Sequence, residues 1–257
     1  MATPELAKPK EIILNQISVE RVGDKQAELL PQLAQIYFQT WQAEGLCPSL
    51  TEAADKMAAF NPQDTSVVID PEGKIYALIQ TLPVNLPSLA YLPQRYPTYQ
   101  SVEAASANSK RSGDPDPNYL ICFSINALPG YRVTAPEGET QSLARFLLTH
   151  LPTACVKVAY SRFCHYDGPA LLDFYLKNLG NSQKLGAVGM HENLGGLTVA
   201  IIAGSRPEDM RGGGANVIVL YPKNEPEAAK ITIIKAARRL HPPPTLIQNN
   251  HCLFLDV

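Results

Sequence analysis

Apolar side chains at Leu29, Leu30, Leu33, Ile36, Tyr37 and Trp41 recur at helical spacing and predict a helix over about Asp24–Glu44. A second helix is expected over Thr51–Phe60, where Ser49 or Thr51 stands as an N-cap before an Ala-rich stretch. Thr65–Ile69 and Lys74–Thr81 read as strands joined by the turn Asp70-Pro71-Glu72-Gly73, which makes a hairpin. The pattern breaks over residues 82–118, which hold Pro83, Pro87, Pro93, Pro97, Pro115 and Pro117 and the small polar run Ser101–Gly113. A surface excursion fits, with a short helix near Val102–Ala107; a substrate lid and a disordered insertion are both open readings. Regularity returns at Asn118. Strands are expected at Tyr119–Leu128, Cys155–Arg162, Leu197–Ala203 and Val217–Leu220. Helices are expected at Thr140–His150, at Gly168–Leu179 with a stop at Gly180, and at Glu225–Leu240. The tail after Pro242-Pro243-Pro244 ends apolar.

Composition narrows the class. Of 257 residues, 45% are hydrophobic and 18% charged, as in ordinary globular proteins, and the formal net charge of -2 argues against a nucleic-acid surface. The basic run Lys235-Ala236-Ala237-Arg238-Arg239 reads as the solvated end of a helix. Cys47, Cys122, Cys155, Cys164 and Cys252 are scattered, odd in number and without a C-x-x-C pair. Neither a zinc site nor a disulfide framework is expected, and no metal is assigned; reduced thiols in a cytoplasm fit. Cys122 lies in the apolar run Tyr119–Phe123, where a buried structural thiol is the default. No signal peptide is visible, and no apolar run approaches the ~20 residues of a membrane span, so a cytoplasmic protein without a membrane partner is expected.

The order of elements, and the segment Phe123-Ser124-Ile125-Asn126-Ala127-Leu128-Pro129-Gly130-Tyr131-Arg132, resemble the GNAT (GCN5-related N-acetyltransferase) superfamily. The resemblance implies an α+β fold with a mixed sheet and splayed central strands. In such a fold the strand offers Ile125 and Ala127 to a pantetheine arm, and the next helix start, with Arg132, Gly138, Thr140 and Gln141, binds a pyrophosphate. The usual Arg/Gln-x-x-Gly-x-Gly/Ala is replaced here by the longer stretch Val133–Ser142, in which Gly138 is the natural counterpart of the family glycines. Glu137 and Glu139 would repel a pyrophosphate if they faced it.

A second block, Met190-His191-Glu192-Asn193-Leu194-Gly195-Gly196, then Ser205-Arg206-Pro207-Glu208-Asp209, then Gly214–Tyr221, resembles the GNAT subgroup with GNAT-like loading domains of polyketide synthases. It implies catalytic roles for His191 and Arg206, and for Ser161 in Ala159-Tyr160-Ser161-Arg162 at a position where the subgroup has threonine. Tyr175, in a helix similar to the family's Phe-Tyr-x-x-x-Gly helix, would protonate a leaving thiolate. The domain limits that follow are a lead-in at 1–23, a GNAT-like domain at 24–222 with the excursion 82–118, and a C-terminal helix and tail at 223–257.

Each residue also has a plain structural reading. His191 can be a turn histidine bonded to backbone, Arg206 a partner of Asp209 or Glu208, and Tyr175 a half-buried helix residue. Trp41 can line a core or cleft, and the adjacent Cys164 and His165 are read as a chance neighbourhood. The resemblance implies an acyltransferase that moves an acetyl or other short acyl group from acetyl-CoA or another acyl-CoA to an amine, with no tightly bound cofactor. Malonyl-CoA decarboxylation with S-acyl transfer to an acyl carrier protein, and a non-catalytic acyl-CoA binding module, are the alternatives. The acceptor, whether small molecule, protein or acyl carrier, and the oligomeric state are left open.

Overall fold

The helix expected over 24–44 forms as α1 (Gln26–Trp41), with Leu29, Leu33, Ile36 and Tyr37 all buried on one face. The computed structural model describes residues 9–109, 117–152, 155–164, 166–167, 170–240, 245–249 and 252–255. Before α1 come β1 (Lys10–Ile13) and β2 (Ser18–Arg21), so part of the stretch expected as a lead-in is built into sheets. Next is α2 (Leu50–Ala59). Its N-cap is Ser49, whose hydroxyl accepts from the amide of Glu52 at 3.1 Å.

The hairpin β3 (Thr65–Ile69) and β4 (Ile75–Val84) follows, then α3 (Leu92–Arg95), α4 (Tyr99–Asn108) and β5 (Tyr119–Ala127). The chain continues through β6 (Tyr131–Thr134), β7 (Thr140–Ser142), α5 (Leu143–His150), β8 (Val156–Ser161), α6 (Leu171–Lys177), α7 (Ser182–Leu185) and α8 (Ala187–Asn193). It closes with β9 (Leu197–Ile202), β10 (Asn216–Leu220), α9 (Glu225–Leu240), β11 (Thr245–Asn249) and β12 (Cys252–Leu255).

Two compact units share this chain, one of residues 1–80 with 124–151 and one of residues 81–123 with 152–257. In the first, β2, β3 and β4 pair antiparallel, while β1 runs parallel to β6 and β6 antiparallel to β7. In the second, the strand order is β11-β12-β9-β10-β8-β5, all antiparallel neighbours except the parallel pair β5–β8. The β5–β8 ladder runs from Tyr119↔Val156 to Cys122↔Ala159 and stops there, although β5 goes on through Phe123 and β8 through Ser161. This is the splay of central strands expected for the fold.

Residues 82–109 are not a loose insertion. Thr98 caps α4 with a reciprocal capping box, and Leu92, Tyr96, Tyr99 and Val102 are buried. The Tyr160 hydroxyl donates to the Tyr96 carbonyl at 3.0 Å, and the Tyr99 amide donates to the Ser205 carbonyl at 3.0 Å. Apolar residues scattered among prolines bury themselves without a helical or alternating period, which is why the sequence pattern missed them.

The basic run at the end of α9 is also not simply solvated. Arg238 is buried and donates to the Thr198 carbonyl at 2.6 Å, while Lys235 donates to the Glu192 carbonyl at 2.6 Å. These long cations cross from α9 onto α8 and β9, their apolar stems covering the surface between. The apolar tail supplies β12, which pairs with β9. Among the described residues no helix is long and apolar enough to cross a membrane.

Candidate active site

The residues expected to hold the cofactor fall in the first unit. On β5, half-buried Ile125 and Ala127 alternate with buried Ser124 and Asn126, and the Asn126 side-chain amide donates to Ser124 Oγ at 2.8 Å. The helix expected from Thr140 does not begin there. Thr140 and Gln141 lie in β7, opposite Thr134 and Val133, and α5 starts only after Ser142. Val133 and Thr134 favour a strand, and Pro136-Glu137-Gly138 supplies a turn with Gly138 at φ 91°, so a hairpin displaces the helix start.

Ser142 Oγ then accepts from the Arg145 amide at 3.2 Å, which satisfies one of the helix-terminal donors that an anion would otherwise use. Arg132 is exposed on β6. Beside it the Tyr131 hydroxyl lies 3.4 Å from the Lys74 ammonium, which pulls the phenol below the usual tyrosine range.

The residues expected to be catalytic all fall in the second unit, where strand alternation sorts them. Ser161 faces Val217 across the β8–β10 ladder, Ala159 faces Val219, and the Tyr221 amide continues the pattern onto the Lys157 carbonyl. With a period of two, Ser161, Ala159 and Lys157 share one face with Val217, Val219 and Tyr221, and Cys122, opposite Ala159, joins them. Helix α8 lies over this face. A methyl group at Gly196 would meet Val219 Cγ1 at 2.5 Å and the His191 carbonyl at 2.9 Å, which shows how closely the end of α8 approaches β10.

His191 is not a turn residue: it lies in α8, it is 5% exposed, and its Nδ1 is 2.5 Å from the Tyr221 hydroxyl. Burial pushes its imidazole down to about 4 and pushes the Tyr221 phenol above the tyrosine range, with the Cys122 thiol adding to the latter. The ring is therefore neutral at pH 7. Cys122 is buried as expected, and burial raises its thiol to about 12.

The histidine makes stability pH-dependent. Between pH 6.5 and about 4 the unfolded chain binds a proton at His191 and the folded chain does not, so this contribution is complete above pH 6.5 and is lost as pH falls towards 4. The expected loss is roughly 3 kcal/mol. Urea unfolding at pH 7 and pH 4.5 should show it in the wild type, and His191→Gln should remove that part of the slope.

Ser161 Oγ is buried and has no hydrogen-bond partner among the described residues. It stands at the end of β8, beyond the last β5–β8 pair. Its neighbour Arg162, buried, makes a two-pronged pair with buried Asp209, through Nε to Oδ2 and through Nη2 to Oδ1 at 2.9 Å. Asp209 Oδ1 also accepts from the Gly212 amide at 3.0 Å. The aspartate that sequence reading offered to Arg206 thus belongs to Arg162.

Arg206 is buried and lies at the same end of β10 as Ser161, its amide bonded to the Gly214 carbonyl. Its guanidinium sits 3.7 Å over the Tyr99 ring, and its Nε is 3.7 Å from Glu208. Tyr99 is edge-on to Phe123, and Phe123 alternates with Cys122, so this stack packs on the face opposite to Ser161 and His191.

Tyr175 is fully buried, and its hydroxyl donates to Glu192 Oε1 at 2.7 Å, an oxygen that also accepts from Thr198 Oγ1 at 2.7 Å. Burial, then the Glu192 charge, raises the phenol above its ordinary range. Tyr175 and Glu192 line a small pocket with Leu179, Gly180, Asn193, Lys235 and Arg238. Sequence reasoning missed Tyr99, Arg162, Tyr221 and Glu192; Arg162 and Glu192 adjoin chosen residues, whereas nothing in the sequence links Tyr99 to Arg206. Among the described residues no group of three or more His, Cys, Asp or Glu side chains could hold a metal, and His165 lies outside them.

No protein-family model matches the sequence, and no curated protein matches it. Solved structures are. The loading GNATL domain of CurA from Lyngbya majuscula superposes with a TM-score of 0.53 at 16% identity, over 80% of this chain and 98% of that one. The GphF GNAT-like decarboxylase, solved in complex with isobutyryl-CoA, gives 0.54 at 21% identity, over 81% and 99%. The chain has the GNAT fold, with a mixed, mostly antiparallel sheet.

Proposed function

We propose that this protein binds an acyl-CoA thioester and decarboxylates a β-carboxyacyl group such as malonyl. The carrying observation is Ser161: a buried hydroxyl without a partner among the described residues, at the point where the β5–β8 ladder ends. Leaving such a group unpaired costs about 1–3 kcal/mol, a cost that a site tolerates when substrate supplies the partner.

Decarboxylation needs no base at the start. The bond from the α-carbon to the carboxylate breaks, its electron pair forms the enolate, charge gathers on the thioester oxygen and carbon dioxide leaves. A proton taken up at the α-carbon then gives the acetyl thioester. What the enolate oxygen needs is donors. Ser161 Oγ–H is one. His191 is the other: in the tautomer in which the Tyr221 hydroxyl donates to Nδ1, the ring proton is on Nε2, and a neutral imidazole that resists protonation is a donor rather than a base. Arg206, buried and stacked on Tyr99, is the cation this reading assigns to the β-carboxylate. In the first unit, taken by itself, the Gly138 amide is spent on the Ala135 carbonyl at 2.9 Å and no helix begins at Thr140, which predicts weak affinity for free CoA. The likeness in fold to a GNAT-like loading domain and a GNAT-like decarboxylase supports this reading.

Amine acylation, with acetyl-CoA as donor, is the second reading. It needs a group to take a proton from the amine, and the Glu192 carboxylate, which orders Tyr175 and lines a pocket, favours it. Incubation with malonyl-CoA labelled in its carboxyl group separates the two. Release of labelled carbon dioxide with formation of acetyl-CoA is expected. If malonyl-CoA stays intact while acetyl-CoA and a panel of amines release free thiol, the decarboxylase reading falls.

A further inference from the structure

His191 and Tyr221 are each fixed through their main chains. The Gly196 amide donates to the His191 carbonyl at 3.0 Å and ties the end of α8 back on itself, while the Tyr221 amide donates to the Lys157 carbonyl at 3.0 Å and carries β10 on along β8. The two rings meet at 75°, with Nδ1 2.5 Å from the phenol oxygen. Both side chains are buried, and among the described residues neither the phenol nor Nε2 has another hydrogen-bond partner.

Two arrangements of protons fit this contact. If Nδ1–H donates, the phenol proton has no acceptor and Nε2 presents a lone pair. If the phenol donates, its proton is satisfied and the donor left over is Nε2–H. Each leaves one donor short, but in a different place. A thioester oxygen at Nε2 makes good the second arrangement, whereas in the first it would meet a lone pair.

We propose that Tyr221 is a positioning residue for His191: its hydroxyl donates to Nδ1 and so keeps the ring proton on Nε2, as a fixed donor to the oxygen of the acyl thioester. The role of that oxygen rests on the decarboxylase reading above; the tautomer rests on the His191–Tyr221 pair alone. The pair does not relay a proton. Transfer from the phenol to Nδ1 would create a buried phenolate and a buried imidazolium, and burial opposes both, since it raises the Tyr221 phenol and lowers the His191 ring. The ring therefore stays neutral while charge gathers on the enolate oxygen.

The test pairs a spectrum with kinetics. Protein labelled with nitrogen-15 histidine is examined at pH 7 by nitrogen–proton correlation spectra that separate protonated from unprotonated ring nitrogens, and His191→Gln identifies the His191 signals. The wild type should show a protonated Nε2 and a bare Nδ1, and Tyr221→Phe should show a mixture of tautomers. In the same variant kcat for malonyl-CoA should fall about tenfold while KM changes less than about twofold, because the donor is needed most in the transition state. A wild-type ring protonated at Nδ1 overturns the proposal, and so does a Tyr221→Phe protein that keeps the wild-type tautomer. A mixed tautomer with unchanged kcat overturns its part in the reaction. If the wild type shows Nε2–H yet leaves malonyl-CoA intact, the decarboxylase reading falls and the tautomer assignment stands. Should Tyr221→Phe fail to fold, the wild-type spectrum alone still decides between the two tautomers.

Discussion

Ser161→Ala should lower kcat/KM for decarboxylation about 100-fold while leaving thermal stability equal to or slightly above that of the wild type. The two halves of this expectation belong together. A hydroxyl that served the fold would cost stability on removal. A buried one with no partner among the described residues costs the fold something while it is present, and only its contribution to the reaction is lost. Ser161→Thr keeps the donor and should retain most activity. Kinetics and melting curves on the same preparations decide the matter: a fall in stability with full turnover would make Ser161 a structural residue.

The largest stability effect is expected one residue later. Arg162→Met leaves Asp209 buried without its cation, and breaking a buried ion pair from one side costs about 3–5 kcal/mol. For a chain of this size that corresponds to a fall in melting temperature of roughly 10 °C. Arg162→Met combined with Asp209→Leu should recover a large part, because no bare charge then remains. Recovery should be incomplete, since Asp209 also accepts from the Gly212 amide and so holds the turn between β9 and β10. Differential scanning calorimetry of the single and double variants checks this; additive losses would show that the pair is not coupled.

Much of this fold was legible because periodicity reports burial. The stripe from Leu29 to Trp41, the hairpin around Asp70–Gly73 and strands β5, β8, β9 and β10 could be read from spacing alone, whereas β11 and β12 were not. What was not legible depends on partners distant in sequence. The Val133–Ser142 stretch contains both strand and helix residues, and its hairpin is fixed by pairing to β1 as much as by local preference. His191 and Glu192 lie in a short helix that local sequence does not distinguish from a turn. The candidate residues themselves were legible by resemblance, but their partners were not. Only the folded chain assigns Asp209 to Arg162, Tyr221 to His191 and Tyr99 to Arg206, because side-chain direction follows from register.

The interleaving of the two units has a kinetic consequence. The first needs residues 1–80 and 124–151, and the second needs 81–123 and everything after 152, so neither is a contiguous stretch that could nucleate alone. Lys10 pairs with Tyr131 and Tyr119 with Val156, both in parallel ladders whose loops must close before any hydrogen bond repays the lost entropy. Refolding from denaturant should accordingly be slow for a chain of this length, with β1 joining its sheet late. A fragment that ends at residue 80 lacks both β6 and α5, and with them the means to complete its own core.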